Sequence, residues 1–71
     1  MILEFKLTGA YIELAKLLKI TNIAESGGQA KMMIGDRLVS VNGQIEERKK
    51  AKLYPGDIVF IECLGTEIGI K

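Results

Sequence analysis

Ser26-Gly27-Gly28-Gln29-Ala30-Lys31, then Val39-Ser40-Val41-Asn42-Gly43, then Arg48-Lys49-Lys50-Ala51-Lys52: these three stretches decide how the chain is read. Ser26 followed by Gln29 is a capping box. The Ser oxygen accepts the backbone N–H near Gln29, and the Gln side chain reaches back toward the cap. A helix is predicted from about Gly27 to Ile34, with Ala30, Met33 and Ile34 as its buried stripe and Lys31 outside. Gly35-Asp36 ends it. Leu38, Val39 and Val41 then read as a strand, and Asn42-Gly43 as a tight hairpin turn, because both central positions of such a turn need φ > 0. Gln44 to Glu46 is the return strand. It delivers the chain into a cluster of four cations, Arg48, Lys49, Lys50 and Lys52.

Upstream, residues 2–7 alternate. Leu3, Phe5 and Leu7 face one way and Glu4 and Lys6 the other, as in a strand with one buried face. Thr8-Gly9 breaks it. Residues 10–19 then read as a short amphipathic helix anchored by Leu14 and Leu18, with Glu13 and Lys16 one turn apart and able to pair. Ile23 and Ala24 tuck inward on the way to the second helix. Downstream, Tyr54-Pro55-Gly56-Asp57 is a turn with Pro second and Gly third. Ile58 to Cys63 reads as a central strand covered on both faces, with Cys63 as a small buried hydrophobe. Leu64-Gly65-Thr66 turns the chain, and Glu67 to Ile70 adds an edge strand. The fold class is therefore α+β, with two short N-terminal helices packed on one face of a small antiparallel sheet.

The chain has 71 residues and starts at Met1. Residues 1–71 read as one small domain, with no room for a second core. Apolar residues make up 48%, which a domain this small needs because Cys63 stands alone and no disulfide can form. The absence of His with a single Cys removes the common zinc sites and His-assisted nucleophiles. No carboxylate pair has a catalytic spacing, and no phosphate-binding loop or metal pattern is present. The expectation is no enzyme, no cofactor and no metal. Glu4 and Lys6 interrupt the first apolar residues, which argues against a signal peptide, and no apolar run reaches the ~18 residues of a membrane span. A cytoplasmic protein with no membrane partner is expected.

The net charge of +1 argues, by itself, against a nucleic-acid ligand. Its distribution says more. Residues 1–26 balance three cations with three anions, residues 27–52 hold six cations against three anions, and residues 53–71 hold one against three. The middle is the candidate footprint, and Arg37 belongs to it. A row of fixed cations is what a phosphate backbone needs. Arg48 offers bidentate contacts and the lysines point charges. Read without further context, the same segment is a solvated loop balanced by Glu46 and Glu47. Gly27-Gly28 at a helix start lets a backbone approach the N–H groups that attract anions, or simply makes a tight turn.

In the order of these motifs the chain resembles the RNA-binding domain first named from the fourth protein of the small ribosomal subunit, also called the alpha-L motif. Leu14, Leu17-Leu18-Lys19, the stretch from Ser26 to Lys31, Ile34, the stretch from Val39 to Gly43, Lys52 and Gly56-Asp57-Ile58-Val59 carry the resemblance. It covers about residues 11–61, and the short first strand with Tyr11-Ile12 is most like the small stand-alone bacterial members. The resemblance implies binding to structured RNA, often ribosomal or transfer RNA, through the two helices and the hairpin. Lys31, Asn42, Gly43 and the basic return segment through Lys52 are the implied contacts, with Ser26, Gly27, Gly28 and Gln29 at the start of the second helix. Family members often carry Arg, Leu and Asp at the start of the first helix. This chain has Tyr11-Ile12-Glu13, and Lys16 or Lys19 is the substitute cation. Tyr11 and Tyr54 are expected partly buried beside the core, base stacking being the alternative.

Two other classes compete. Ubiquitin-like sulfur carriers are similar in length but need a C-terminal Gly-Gly, and this chain ends Ile68-Gly69-Ile70-Lys71. A protein-interaction module could use the apolar strand at 58–64 for dimerisation. The expected oligomeric state is a monomer or weak homodimer.

Overall fold

A computed structural model describes all residues 1–71. Strands β1 (Ile2–Phe5) and β2 (Ile12–Glu13) precede helices α1 (Leu14–Ile20) and α2 (Gly27–Gly35). Strands β3 (Val39–Val41), β4 (Gln44–Ile45), β5 (Lys52–Leu53) and β6 (Ile58–Ile61) follow. A short 3-10 turn over Glu62–Leu64 leads into β7 (Thr66–Ile70). The fold is α+β, as expected.

The main sheet has the order β1-β7-β6-β3-β4, and β2 and β5 make a separate two-stranded ribbon. The main sheet is mixed, not purely antiparallel. β1 runs parallel to β7 with Ile2 opposite Glu67 and Phe5 opposite Ile70, while the other pairs are antiparallel. The chain leaves β1 through both helices and returns on the same heading, so β7 is an interior strand and β1 the edge. Both chain ends close this seam. The Glu67 N–H donates to the Met1 carbonyl, the Lys71 N–H to Phe5 and the Leu7 N–H to Lys71, each at 2.8 Å.

Fifteen buried apolar residues form one contiguous core. Leu14, Leu17 and Leu18 of α1, Ala30 and Ile34 of α2, and Val39, Val59, Ile61 and Ile68 of the sheet are fully buried or nearly so. The helices cover one sheet face only. β6 is central but alternates, with Val59 and Ile61 inward and Ile58 and Phe60 outward. Its run of apolar residues therefore does not mean cover on both faces. The strand also stops before Cys63, which lies exposed in the 3-10 turn instead of buried in a strand.

The first helix starts later than its periodicity predicts. Ile12 and Glu13 are extended because they pair with Leu53 and Lys52. Glu13 occupies the N-cap and offers no side-chain cap. Instead, the Leu14 N–H donates to the Ala51 carbonyl at 2.9 Å and the Ala15 N–H to the Lys49 carbonyl at 3.0 Å. Two of the orphan donors of α1 are thus satisfied from across the fold. The Glu13–Lys16 pair does not form. The ion pairs present are Arg48–Glu46 and Lys71–Glu4.

The end of α2 also differs from expectation. Gly35 is helical, and Arg37 takes the left-handed position with φ +63°. The Arg37 N–H returns to Ile34 and the Leu38 N–H to Met33 at 3.1 and 3.2 Å, which is a Schellman arrangement with arginine where glycine usually sits. The Asn42-Gly43 turn is as expected, with φ +52° and +86°. Asn42 also ties the hairpin to β6. Its Oδ1 accepts the Ile58 N–H at 2.9 Å and its Nδ2 donates to Asp57 Oδ1 at 3.0 Å.

Candidate nucleic-acid interface

The second helix begins as its capping box dictates. Ser26 Oγ accepts the Gln29 N–H at 3.1 Å, and Gln29 Oε1 accepts from the backbone of Glu25, one residue before the cap. With Ala30, Met33 and Ile34 turned inward, helical spacing leaves Lys31 on the open side. A Cβ placed on Gly27 would meet nothing within 4 Å, and one on Gly28 only Ser26 Oγ at 3.8 Å. The fold does not require glycine at either position.

The segment after β4 is tied down at its backbone. Ala51 is buried and its N–H donates to Arg48 at 3.1 Å, while the Lys49 and Ala51 carbonyls receive the N–H groups of α1. These anchors use main-chain atoms and the small Ala51 side chain. The side chains of Arg48, Lys49, Lys50 and Lys52 are left exposed. Together with Lys31 and Gly35 of α2 they line an open groove of about 860 Å³, where Glu47 is the single carboxylate. Lys31 and the basic segment are far apart in sequence, and only the docking of residues 49–51 onto α1 brings them to one surface.

Within this groove the cations are not equivalent. Glu46 and Arg48 lie two apart just after β4, and their side chains meet. Arg48 Nε and Nη2 donate to the two carboxylate oxygens of Glu46, both at 3.0 Å, and the Arg48 backbone N–H adds a third bond at 3.1 Å. The hydrogen bonds from Arg48 hold the Glu46 carboxyl below its usual range, and the same pair raises the guanidinium. The Glu46 side chain is 18% exposed and the Arg48 side chain 79%, so one partner is held and the other faces water. Of the four cations read from the sequence, the three lysines have no carboxylate partner, while Arg48, expected to offer bidentate phosphate contacts, spends them on Glu46.

The remaining candidate residues lie elsewhere. Asn42 shares a neighbouring cleft of about 300 Å³ with Arg48 and Lys52, beside Asp57. Gly43 sits exposed at the hairpin tip and lines neither space. Lys19 is exposed on α1, and Lys16 lines a different cleft with Tyr11 and Glu13. Arg37 is exposed beyond α2 and does not line the groove. Ser26 and Gln29 are occupied by the cap. Tyr11 and Tyr54 are exposed, contrary to expectation, and Lys52 Nζ lies 4.8 Å from the Tyr11 ring centroid. Sequence reasoning missed this contact and the part of Gly35 in the groove. The pairing of Ile12 with Leu53 was the missing signal for the first, since it sets Tyr11 beside Tyr54.

No helix is long and apolar enough to cross a membrane. No group of three or more His, Cys, Asp or Glu side chains is arranged to hold a metal ion.

Comparison with known proteins agrees with this architecture. The S4 domain family model matches residues 5–71. A protein of Bacillus subtilis (strain 168) named "Probable ribosome maturation protein RlbA" is 40% identical over 55 residues, 78% of each chain. A protein of Escherichia coli (strain K12) named "Putative RNA-binding protein YbcJ" is 43% identical over 49 residues, 69% of this chain and 70% of that one. A core built from two short helices and a hairpin, with the motifs in family order and a match over nearly the whole length, leads to one conclusion: the chain belongs to the S4 domain family, the RNA-binding alpha-L motif.

Proposed function

We propose that this protein is a cytoplasmic, non-catalytic module that binds structured RNA, ribosomal RNA first and transfer RNA second, through the groove between α2 and the segment after β4. The observation that carries this reading is the convergence of Lys31 with Lys49, Lys50 and Lys52 on one open surface. Four cations without carboxylate partners, one on a helix and three on a tied-down segment, can neutralise phosphates without the loop having to order first. Ribosomal RNA is preferred because a similar protein carries ribosome maturation in its name. The Gly27-Gly28 start of α2, where an added Cβ would meet no atom closer than 3.8 Å, leaves room for a backbone to approach.

The test is a filter-binding titration against a ribosomal RNA pool, a transfer RNA pool and duplex DNA. Four phosphate contacts give an expected log–log salt slope of about −3 to −4. Replacing Lys31, Lys49, Lys50 and Lys52 together with Gln removes most affinity while circular dichroism stays unchanged. Replacing Lys6 and Lys71 leaves binding nearly intact. Salt-insensitive binding, or equal losses from both sets, rejects a defined face.

A second reading concerns self-association. Ile2, Ile45, Ile58 and Phe60 are large apolar residues exposed on the sheet face that no helix covers. Weak dimerisation through that face predicts a concentration-dependent mass by light scattering, abolished by Phe60→Ser.

A further inference from the structure

The ribbon of β2 and β5 carries two of its side chains inward and the rest outward. Ile12 and Leu53 pair directly and are 7% and 1% exposed. Alternation then turns Tyr11, Glu13, Lys52 and Tyr54 to the other face. The register that puts Ile12 opposite Leu53 also puts Tyr11 opposite Tyr54. Their ring centroids are 6.2 Å apart with planes at 50°, and they are 44% and 49% exposed. Lys52 belongs to this face and to the basic groove at once, its ammonium 4.8 Å from the Tyr11 centroid. Lys16 lines the cleft that Tyr11 also borders, so cations stand at two places around the aromatic pair.

We propose that this ribbon face is a stacking platform for an unpaired RNA base at the end of the groove, with Tyr54 as the stacking ring and Lys52 on the phosphate of the same nucleotide. The inference rests on the RNA-binding reading above and adds to it the kind of nucleotide recognised. Rings inclined at 50° cannot clamp a flat base between them, so the base stacks from one side. The ammonium of Lys52 is over Tyr11, which leaves Tyr54 as the ring without a cation on it. Glu13, opposite Lys52 in register, is the carboxylate on this face and repels a phosphate chain lying along it. What the face accepts is therefore a base, with its phosphate toward the groove. Base-on-aromatic stacking tolerates any base, which fits a protein without obvious sequence-reading side chains.

The chain holds two Tyr and no Trp, so its intrinsic emission comes from this pair alone. The experiment compares a blunt guanine–cytosine RNA hairpin with the same hairpin carrying a short adenosine extension. Wild-type emission is expected to be quenched by the extended hairpin and little changed by the blunt one. Tyr54→Ala is expected to weaken binding to the extended hairpin by about 5- to 150-fold, with the blunt affinity and the salt slope unchanged. Tyr54→Phe restores the affinity, since stacking needs the ring and not the hydroxyl. Equal quenching by both hairpins, equal losses on both, or no loss from Tyr54→Ala overturns the platform while RNA binding stands. Binding of neither hairpin by the wild type at low salt overturns both readings together. The fluorescence arm uses the unmodified protein and so holds even where Tyr54→Ala fails to fold.

Discussion

Glu46→Gln is the most informative single substitution at the groove. In the wild type the Glu46 carboxylate receives three hydrogen bonds from Arg48, two from the guanidinium and one from the backbone. Glutamine keeps the size and one acceptor oxygen, so the backbone bond survives and the charge goes. The main-chain bond from the Glu46 N–H to Val39 at 3.0 Å is untouched, and the hairpin exit is expected to hold its shape. Arg48 is then free to meet a phosphate. One further phosphate contact steepens the log–log salt slope by about 0.7–0.9, which over a fourfold rise in salt is about a threefold additional loss of affinity. At low salt the variant binds more tightly than the wild type. The double variant with Glu46→Gln and Arg48→Gln removes both charges of a pair that was already neutral, and its slope should match the wild type. Filter binding of ribosomal RNA fragments at five salt concentrations resolves these differences. The reasoning fails if Glu46→Gln leaves the slope unchanged while the double variant loses about one contact. That outcome means RNA already breaks the pair and takes Arg48 in the wild type.

Three further outcomes follow from named contacts. Leu14 is fully buried, so Leu14→Ala should cost about 2–5 kcal/mol, against about 0.5–2 kcal/mol for loss of the Ser26 cap in Ser26→Ala, with urea melts giving that order. Arg37→Gly relieves a left-handed arginine and should stabilise the fold by about 0.5–1 kcal/mol. RNA affinity should stay within about twofold, because Arg37 does not line the groove, and a larger loss would add it to the contact set. The Arg48 hydrogen bonds lower the Glu46 carboxyl in the folded state, so their contribution is complete above the usual carboxylate range and lost as pH falls through the depressed midpoint. Carboxyl NMR titration should show Glu46 protonating below its usual range in the wild type and returning toward it in Arg48→Gln.

Caps and turns were legible in the sequence, because their backbone partners lie within a few positions. Ser26 and Gln29 set the start of α2, Asn42-Gly43 set the hairpin, and Pro55-Gly56 set the turn, with the Asp57 N–H bonded to the Tyr54 carbonyl at 3.0 Å. Helical spacing likewise put Lys31 outside, because Ala30, Met33 and Ile34 leave no other side open. The motif order between Leu14 and Val59 was enough for the family. What the sequence could not decide depends on pairings between distant strands. Residues 10–13 carry a helical pattern, yet Ile12 and Glu13 are extended because Leu53 and Lys52 lie opposite them. That pairing caps α1 with the Lys49 and Ala51 carbonyls and turns both tyrosines outward. β7 reads as an edge strand, but the seam with β1 makes it interior, since parallel pairing is set by the path of the whole chain. Ile58 to Ile61 looks buried on both faces, and the helices cover only one. Periodicity and turn chemistry are properties of neighbouring residues, so the sequence by itself determined the second helix, the hairpin and the cations. Which cations meet in one groove, and which aromatic rings border it, was decided by where residues 49–54 dock on α1 and β2, a contact made only when the tertiary structure closes.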